Sequence, residues 1–113
     1  MRVLILDDNA ALVQLLGISL RAEGFSVVTC TCPHEALRSI HEADILVTDY
    51  HMPEMTGLEV ARRAHAQGWR GSLFIMSGHF GAITERVEHP LLRSILDKPF
   101  SAWELVEKLR DAV

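Results

Sequence analysis

No apolar run in these 113 residues approaches the roughly 20 that a bilayer crossing needs, so no membrane-inserted segment is expected. Positive charge is also scarce. Eleven basic residues stand against fifteen acidic ones, a net charge of −4, which argues against nucleic acid as the main direct partner. Cysteine occurs twice, at Cys30 and Cys32. Two residues apart on a strand they would share a face, a poor arrangement for a disulfide with each other. Lacking a partnering histidine motif, they do not read as a zinc site either, and are expected to pack in the core or at an edge. The opening "MRVLILDD" has four apolar residues and then two acids, unlike a secretory signal, and the cytoplasm is the expected compartment. There is no internal repeat, no low-complexity tract and no linker. With 49% hydrophobic and 23% charged residues, the composition is that of an ordinary globular domain. One domain over 1–113 is expected, long enough to bury a core without staples.

What is present is an alternation. Short apolar runs recur at 3–6, 26–30, 45–48, 72–76 and 94–96, most of them continuously apolar, as suits parallel strands covered on both faces. Amphipathic segments lie between them. In 9–22, Leu12, Leu16 and Leu20 recur at i+4 with Leu15 beside them, and Gly24 follows as a stop. Pro33 opens a helix over 33–42. Thr56-x-x-Glu59 and Ser101-x-x-Glu104 are capping-box patterns announcing helices over 57–67 and 102–112. A fourth helix in the order of the chain is weaker: Ile83 and Val87 are spaced for one, but His89-Pro90 forces a stop. Five strands alternating with five helices predict an α/β open sheet with right-handed crossovers.

In such sheets ligands gather beyond the carboxyl ends of the strands. The residues there are Asp7 and Asp8 after the first run, Asp49 after the third, Ser77 and Gly78 after the fourth, and Lys98 with Pro99 after the fifth. Singly, each has a plain explanation. Asp7-Asp8 can cap a helix, Asp49 can form a turn, Ser77 can be a loop hydroxyl and Lys98 a solvated charge. Together they would bring three carboxylates, a hydroxyl and a lysine to one sheet edge. Crowded carboxylates repel, and a divalent cation relieves them. Oxygen ligands from Asp8 and Asp49, with Asp7 through water, suit Mg²⁺. A carboxylate beside Mg²⁺, a lysine and a hydroxyl donor can perform phosphoryl transfer.

The set "LDD" (6–8), "VTDYHMPEMTG" (47–57), "IMSG" (75–78) and "DKPF" (97–100) resembles the receiver domain of bacterial two-component response regulators over essentially the whole chain. The resemblance implies a flavodoxin-like (βα)5 doubly wound sandwich with strand order 2-1-3-4-5. It also implies that Asp49 accepts a phosphoryl group from a sensor histidine kinase or histidine phosphotransfer protein. Asp7 and Asp8 would hold Mg²⁺ with Asp49 and the backbone carbonyl of His51. Lys98 would contact the phosphoryl oxygens, Ser77 would hydrogen-bond one of them, and Lys98-Pro99 would be a cis peptide. The kinase would dock on the first helix, around Ala10, Ala11 and Gln14. Output would go to a downstream protein target or output domain, with a homodimer possible. The chain would be a signalling switch that catalyses only its own phosphorylation and dephosphorylation.

Departures from the family pattern carry further expectations. Three places before the lysine, where the family usually has an aromatic residue, stands Ile95, so coupling between Ser77 and the face formed by the fifth strand and the last two expected helices is expected to differ. "EHPLL" (88–92) replaces a small-residue turn. His51 and His79 sit two places after Asp49 and Ser77, positions that tune phosphoryl lifetime in the family; beside the plain explanation of two solvated histidines, their rings are expected to obstruct attacking water or, in the alternative, to orient it and speed phosphoryl loss. The other histidines, at 34, 41, 65 and 89, lack metal-ligand spacing and none reads as a phospho-donor. Two rival readings remain: a pseudo-receiver used only as an interaction module, and a Mg²⁺-dependent phosphohydrolase with an aspartyl nucleophile. The second would want an aspartate two places after Asp49, where His51 stands.

Overall fold

The computed structural model describes residues 1–78 and 86–112. Five strands form one parallel sheet: β1 (Arg2–Leu6), β2 (Ser26–Cys30), β3 (Ile45–Asp49), β4 (Ser72–Ser77) and β5 (Leu92–Asp97), in the order β2-β1-β3-β4-β5. Four α-helices are present among the described residues: α1 (Ala10–Ala22), α2 (Pro33–Ser39), α3 (Gly57–Ala66) and α4 (Ala102–Asp111). The helix expected around Ile83 and Val87 is not seen in the described part of that segment. Ile83 lies outside the described residues, and 86–89, including Val87, run as irregular chain into a turn at Pro90.

Strand alternation builds two cores. Leu4, Leu6, Leu46, Leu73 and Ile75 face one side, where Ala36 and Leu37 of α2 and Leu58, Ala61 and Ala64 of α3 cover them. Val3, Ile5, Ile45, Val47, Phe74 and Met76 face the other, under Val13, Leu16 and Leu20 of α1 and Leu105, Val106 and Leu109 of α4. Each of the Leu, Ile, Val, Phe and Met side chains taken fully from water contributes about 1.5–3 kcal/mol, which is why the central strands are apolar on both faces. The edge strands read differently. β2 and β5 alternate between covered and open positions, and Ile95 is 40% exposed on β5.

The capping signals act locally as expected. Thr56 Oγ1 accepts the Glu59 N–H at 3.1 Å, and Ser101 Oγ accepts that of Glu104 at 3.1 Å. The α2 segment is shorter than the expected 33–42, because its last turn tightens to a 3₁₀-helix over Ile40–Glu42. Leu15 faces solvent at 60% exposure, whereas Val13 and Gly17 are buried in α1. The i+4 stripe of Leu12, Leu16 and Leu20 does face the core, and Leu15 alone of the four turns outward. Cys30 is buried and Cys32 half-buried, both as free thiols, in keeping with packing positions.

Candidate functional site

The carboxyl edge of the sheet gathers the acids. Asp49 is the last residue of β3 and is buried. Asp7 follows β1, is buried, and its N–H donates to the Cys30 carbonyl at 3.2 Å, so β2 anchors it. Asp8 is exposed beside them. Carboxylate oxygens of Asp7, Asp8 and Asp49 all lie within 4.8 Å of one another. Lys98 enters from β5. Its backbone N–H donates to the Ser77 carbonyl at 2.8 Å, extending the β4–β5 ladder past the last strand residue. Its Nζ lies 2.6 Å from Asp7 Oδ2 and 3.3 Å from Asp49 Oδ1. The Lys98-Pro99 peptide is cis, as the resemblance implied.

The electrostatics follow from this crowding. Burial pushes the Asp49 carboxyl above the ordinary carboxylate range, and the Asp7 carboxylate pushes it the same way. Lys98 opposes both through its charge and hydrogen bond, and Asp8 adds a smaller upward push. For Lys98, burial alone would lower the pKa. The hydrogen bond to Asp7 and the charges of Asp49 and Asp7 outweigh it and hold the ammonium above its ordinary value. Three carboxylates against one ammonium leave excess negative charge on hard oxygen donors, the donor set Mg²⁺ prefers. The residues present therefore fit that ion.

The surroundings fix the geometry. Thr48 Oγ1 donates to the Asp49 carbonyl at 3.0 Å. The Tyr50 N–H donates to the Met76 carbonyl at 2.8 Å, and the Gly57 N–H to the Tyr50 carbonyl at 2.8 Å, which folds the 50–56 loop back over β3. Gly57 has to be glycine here, since a Cβ would run into the backbone carbonyl of Asp49 and crowd Thr48. His51 is exposed, and its ring stands edge-on to that of Tyr50, centroids 4.8 Å apart. Ser77 ends β4 and is buried, and among the described residues its hydroxyl donates to the Gly78 carbonyl at a long 3.5 Å. Gly78 is half-buried behind it, and Pro99 is exposed. His79 lies outside the described residues.

One contributor was missed from the sequence. Asn9 is the N-cap of α1, its Oδ1 accepting the Leu12 N–H at 3.2 Å. Its own N–H donates to Asp7 Oδ1 at 2.9 Å and orients that carboxylate. The plain explanation of Asp7-Asp8 as caps hid it. A capping residue immediately before the helical run was the available signal.

A doubly wound parallel sheet with an acid cluster and a lysine at its carboxyl edge defines a flavodoxin-like α/β domain. The sequence model of the response regulator receiver domain matches residues 3–110, and the chain belongs to that family, the receivers of two-component signalling systems. It is 30% identical over 117 residues to the cell cycle response regulator CtrA of Brucella ovis, covering 100% of this chain and 50% of that protein. The chain thus spans about half the length of the curated relatives it matches. Among solved structures, a response regulator receiver domain protein from Clostridium thermocellum superposes with TM-score 0.82 at 25% identity, covering 98% of this chain and 92% of that one. The response regulator TrrA of Thermotoga maritima, solved in complex with Mg²⁺–BeF, superposes with TM-score 0.84 at 24% identity over 99% and 98% of the two chains, a likeness of fold. No helix among the described residues is long and apolar enough to cross a membrane.

Proposed function

We propose that residues 1–113 form one phospho-acceptor receiver domain in which Asp49 takes a phosphoryl group from a phosphohistidine of a kinase or phosphotransfer protein. A carboxylate oxygen of Asp49 bonds to phosphorus as the N–P bond of the donor breaks, and the imidazole leaves with the bonding pair. The observation that carries this reading is the bridging lysine: Lys98 Nζ reaches both Asp7 and Asp49, so a cation already sits where phosphoryl oxygens would arrive. Asp7, Asp8, Asp49 and the His51 carbonyl would hold Mg²⁺, which when bound supplies charge neutralisation for the incoming oxygens. Ser77 donates its weakly engaged hydroxyl to one of those oxygens. Ala10, Ala11 and Gln14 form an exposed face of α1 next to the site, available to the donor protein.

Incubation with acetyl phosphate and Mg²⁺, followed by intact-mass spectrometry, should give a single adduct of one phosphoryl group that chelation of the metal prevents. No adduct in the presence of bound Mg²⁺ would leave a pseudo-receiver. The exposed ring of His51, two residues after the acceptor, is the group we expect to obstruct attacking water. His51→Ala should therefore lose its phosphoryl group about threefold or more faster, a modest barrier change of about 0.7 kcal/mol. Equal decay rates in the two proteins would remove His51 from this role.

A further inference from the structure

The "EHPLL" segment has a structural logic of its own. The Leu92 N–H donates to the His89 carbonyl at 3.1 Å, closing a turn in which Pro90 takes the second position, where its fixed φ is favoured. Inside that turn the Leu91 N–H donates to His89 Nδ1 at 3.1 Å. The Leu91 carbonyl then accepts the Leu73 N–H at 2.9 Å, so the turn delivers β5 into register against β4. An Nδ1 that accepts an amide hydrogen carries no proton of its own, and the ring is the neutral Nε2–H tautomer. The ring itself lies against α3. One imidazole thus closes the turn at the entry of β5 while packing on the neighbouring helix, and Val87, Leu91 and Leu92 pack on the core beside it.

The charged surroundings oppose a second proton. From α3, the ring of His65 stands edge-on to that of His89 with centroids 5.3 Å apart, and Arg62 lies on the same helix. Within its own segment, Arg86 and Glu88 pair with each other at 2.8 Å. Burial lowers the His89 pKa first, His65 lowers it further and Arg62 slightly, against the upward pull of Ala61. A protonated Nδ1 would face the Leu91 N–H donor to donor, which removes the bond and adds repulsion.

We propose that His89 is an acid-sensitive latch, which when neutral accepts the Leu91 N–H and holds the turn before β5 closed, and when protonated gives that bond up. The sign is that of a depressed base. The stabilisation is complete above the unfolded-state pKa of histidine and is lost as pH falls through the lower folded-state value. The strand so held runs on to Lys98, which links the latch to the acid site.

NMR on the full chain tests this. The His89 ring should titrate below its own midpoint in concentrated urea. Exchange of the Leu91 amide, corrected for its intrinsic pH dependence, should rise about tenfold as pH falls through that midpoint, the scale of one lost net hydrogen bond. In His89→Asn the Oδ1 can still accept the Leu91 N–H but cannot titrate, so the acid-induced rise should disappear. His65→Gln should move the His89 midpoint upward. A midpoint at or above the urea value, an exchange rate indifferent to acid, or an acid response that persists in His89→Asn would overturn the latch.

Discussion

Asp49→Asn should take up no phosphoryl group from acetyl phosphate and yet melt above the parent protein in metal-free buffer. The two effects share one cause. The Asp49 carboxylate is buried, lies beside the buried Asp7 carboxylate, and is held above its ordinary pKa by burial first and by Asp7 second. A carboxyl raised in the folded state binds its proton more tightly there than in the unfolded chain. Parent stability therefore falls as pH rises from the unfolded-state pKa through the raised one, and stays at the lower level at neutral pH. Asparagine keeps the shape and removes the charge, so the variant should lack that fall and gain a few degrees at neutral pH, of the order expected for about 1 kcal/mol in a domain this size. Saturating Mg²⁺ should narrow or reverse the order, because a ligand bound by the native state stabilises in proportion to its affinity, and the variant has lost a ligand. Scanning calorimetry in EDTA and in Mg²⁺, with intact mass in parallel, reads all three. A variant that melts below the parent in EDTA would mean that Asp49 is better compensated than its neighbours imply.

Much of this was legible because each layer of the chain reports the same thing. The continuous apolar runs of β1, β3 and β4 mark strands covered on both faces, and the two capping boxes mark helix starts that the hydrogen bonds reproduce. The acids and the lysine were found because the sheet topology sends strand ends to one edge. Other features were hidden for physical reasons. Leucine spacing found the inner stripe of α1 at Leu12, Leu16 and Leu20 but not its other members, Val13 and Gly17, and it wrongly added Leu15, which stays exposed. Periodicity says which residues share a face but not which face a sheet will cover. β5 begins at Leu92 rather than at the expected 94, because a register shift opposite Leu73 and Phe74 and the His89 turn extend the pairing backwards. Its alternating edge-strand burial left only a short apolar signal. The role of Asn9 was masked by the two acids before it. That of His89 was unreadable without knowing that Ala61 and His65 lie across from it, a contact between distant segments.

Lys98→Met should produce the largest loss of stability that a single change at the site can cause without touching the apolar core. The Nζ sits 2.6 Å from Asp7 and 3.3 Å from Asp49, with the lysine side chain 24% exposed and the two carboxylates 1% and 8%. Methionine fills the same volume but leaves both acids facing each other with no counter-charge. Removing one partner of a buried pair costs about 3–5 kcal/mol where burial is complete, and the partial exposure of the lysine brings the expectation to about 2–3 kcal/mol. For a domain of this length that is a drop of roughly 10 °C in Tm. The pH dependence separates this cause from lost packing. The folded-state pKa of Lys98 is raised, so its contribution is complete at neutral pH and is lost only in strong alkali. In the variant the Asp49 carboxyl loses its opposing cation and shifts further upward. Its stability should rise as pH falls from 7.5 to 5, and the gap to the parent should close. Mg²⁺ at neutral pH should close it too, since the ion supplies the charge that the lysine gave. Thermal melts across that pH range, with and without Mg²⁺, decide between the two explanations. A constant gap unaffected by acid or metal would show that the aliphatic stem of Lys98, rather than its charge, holds this edge of the sheet together.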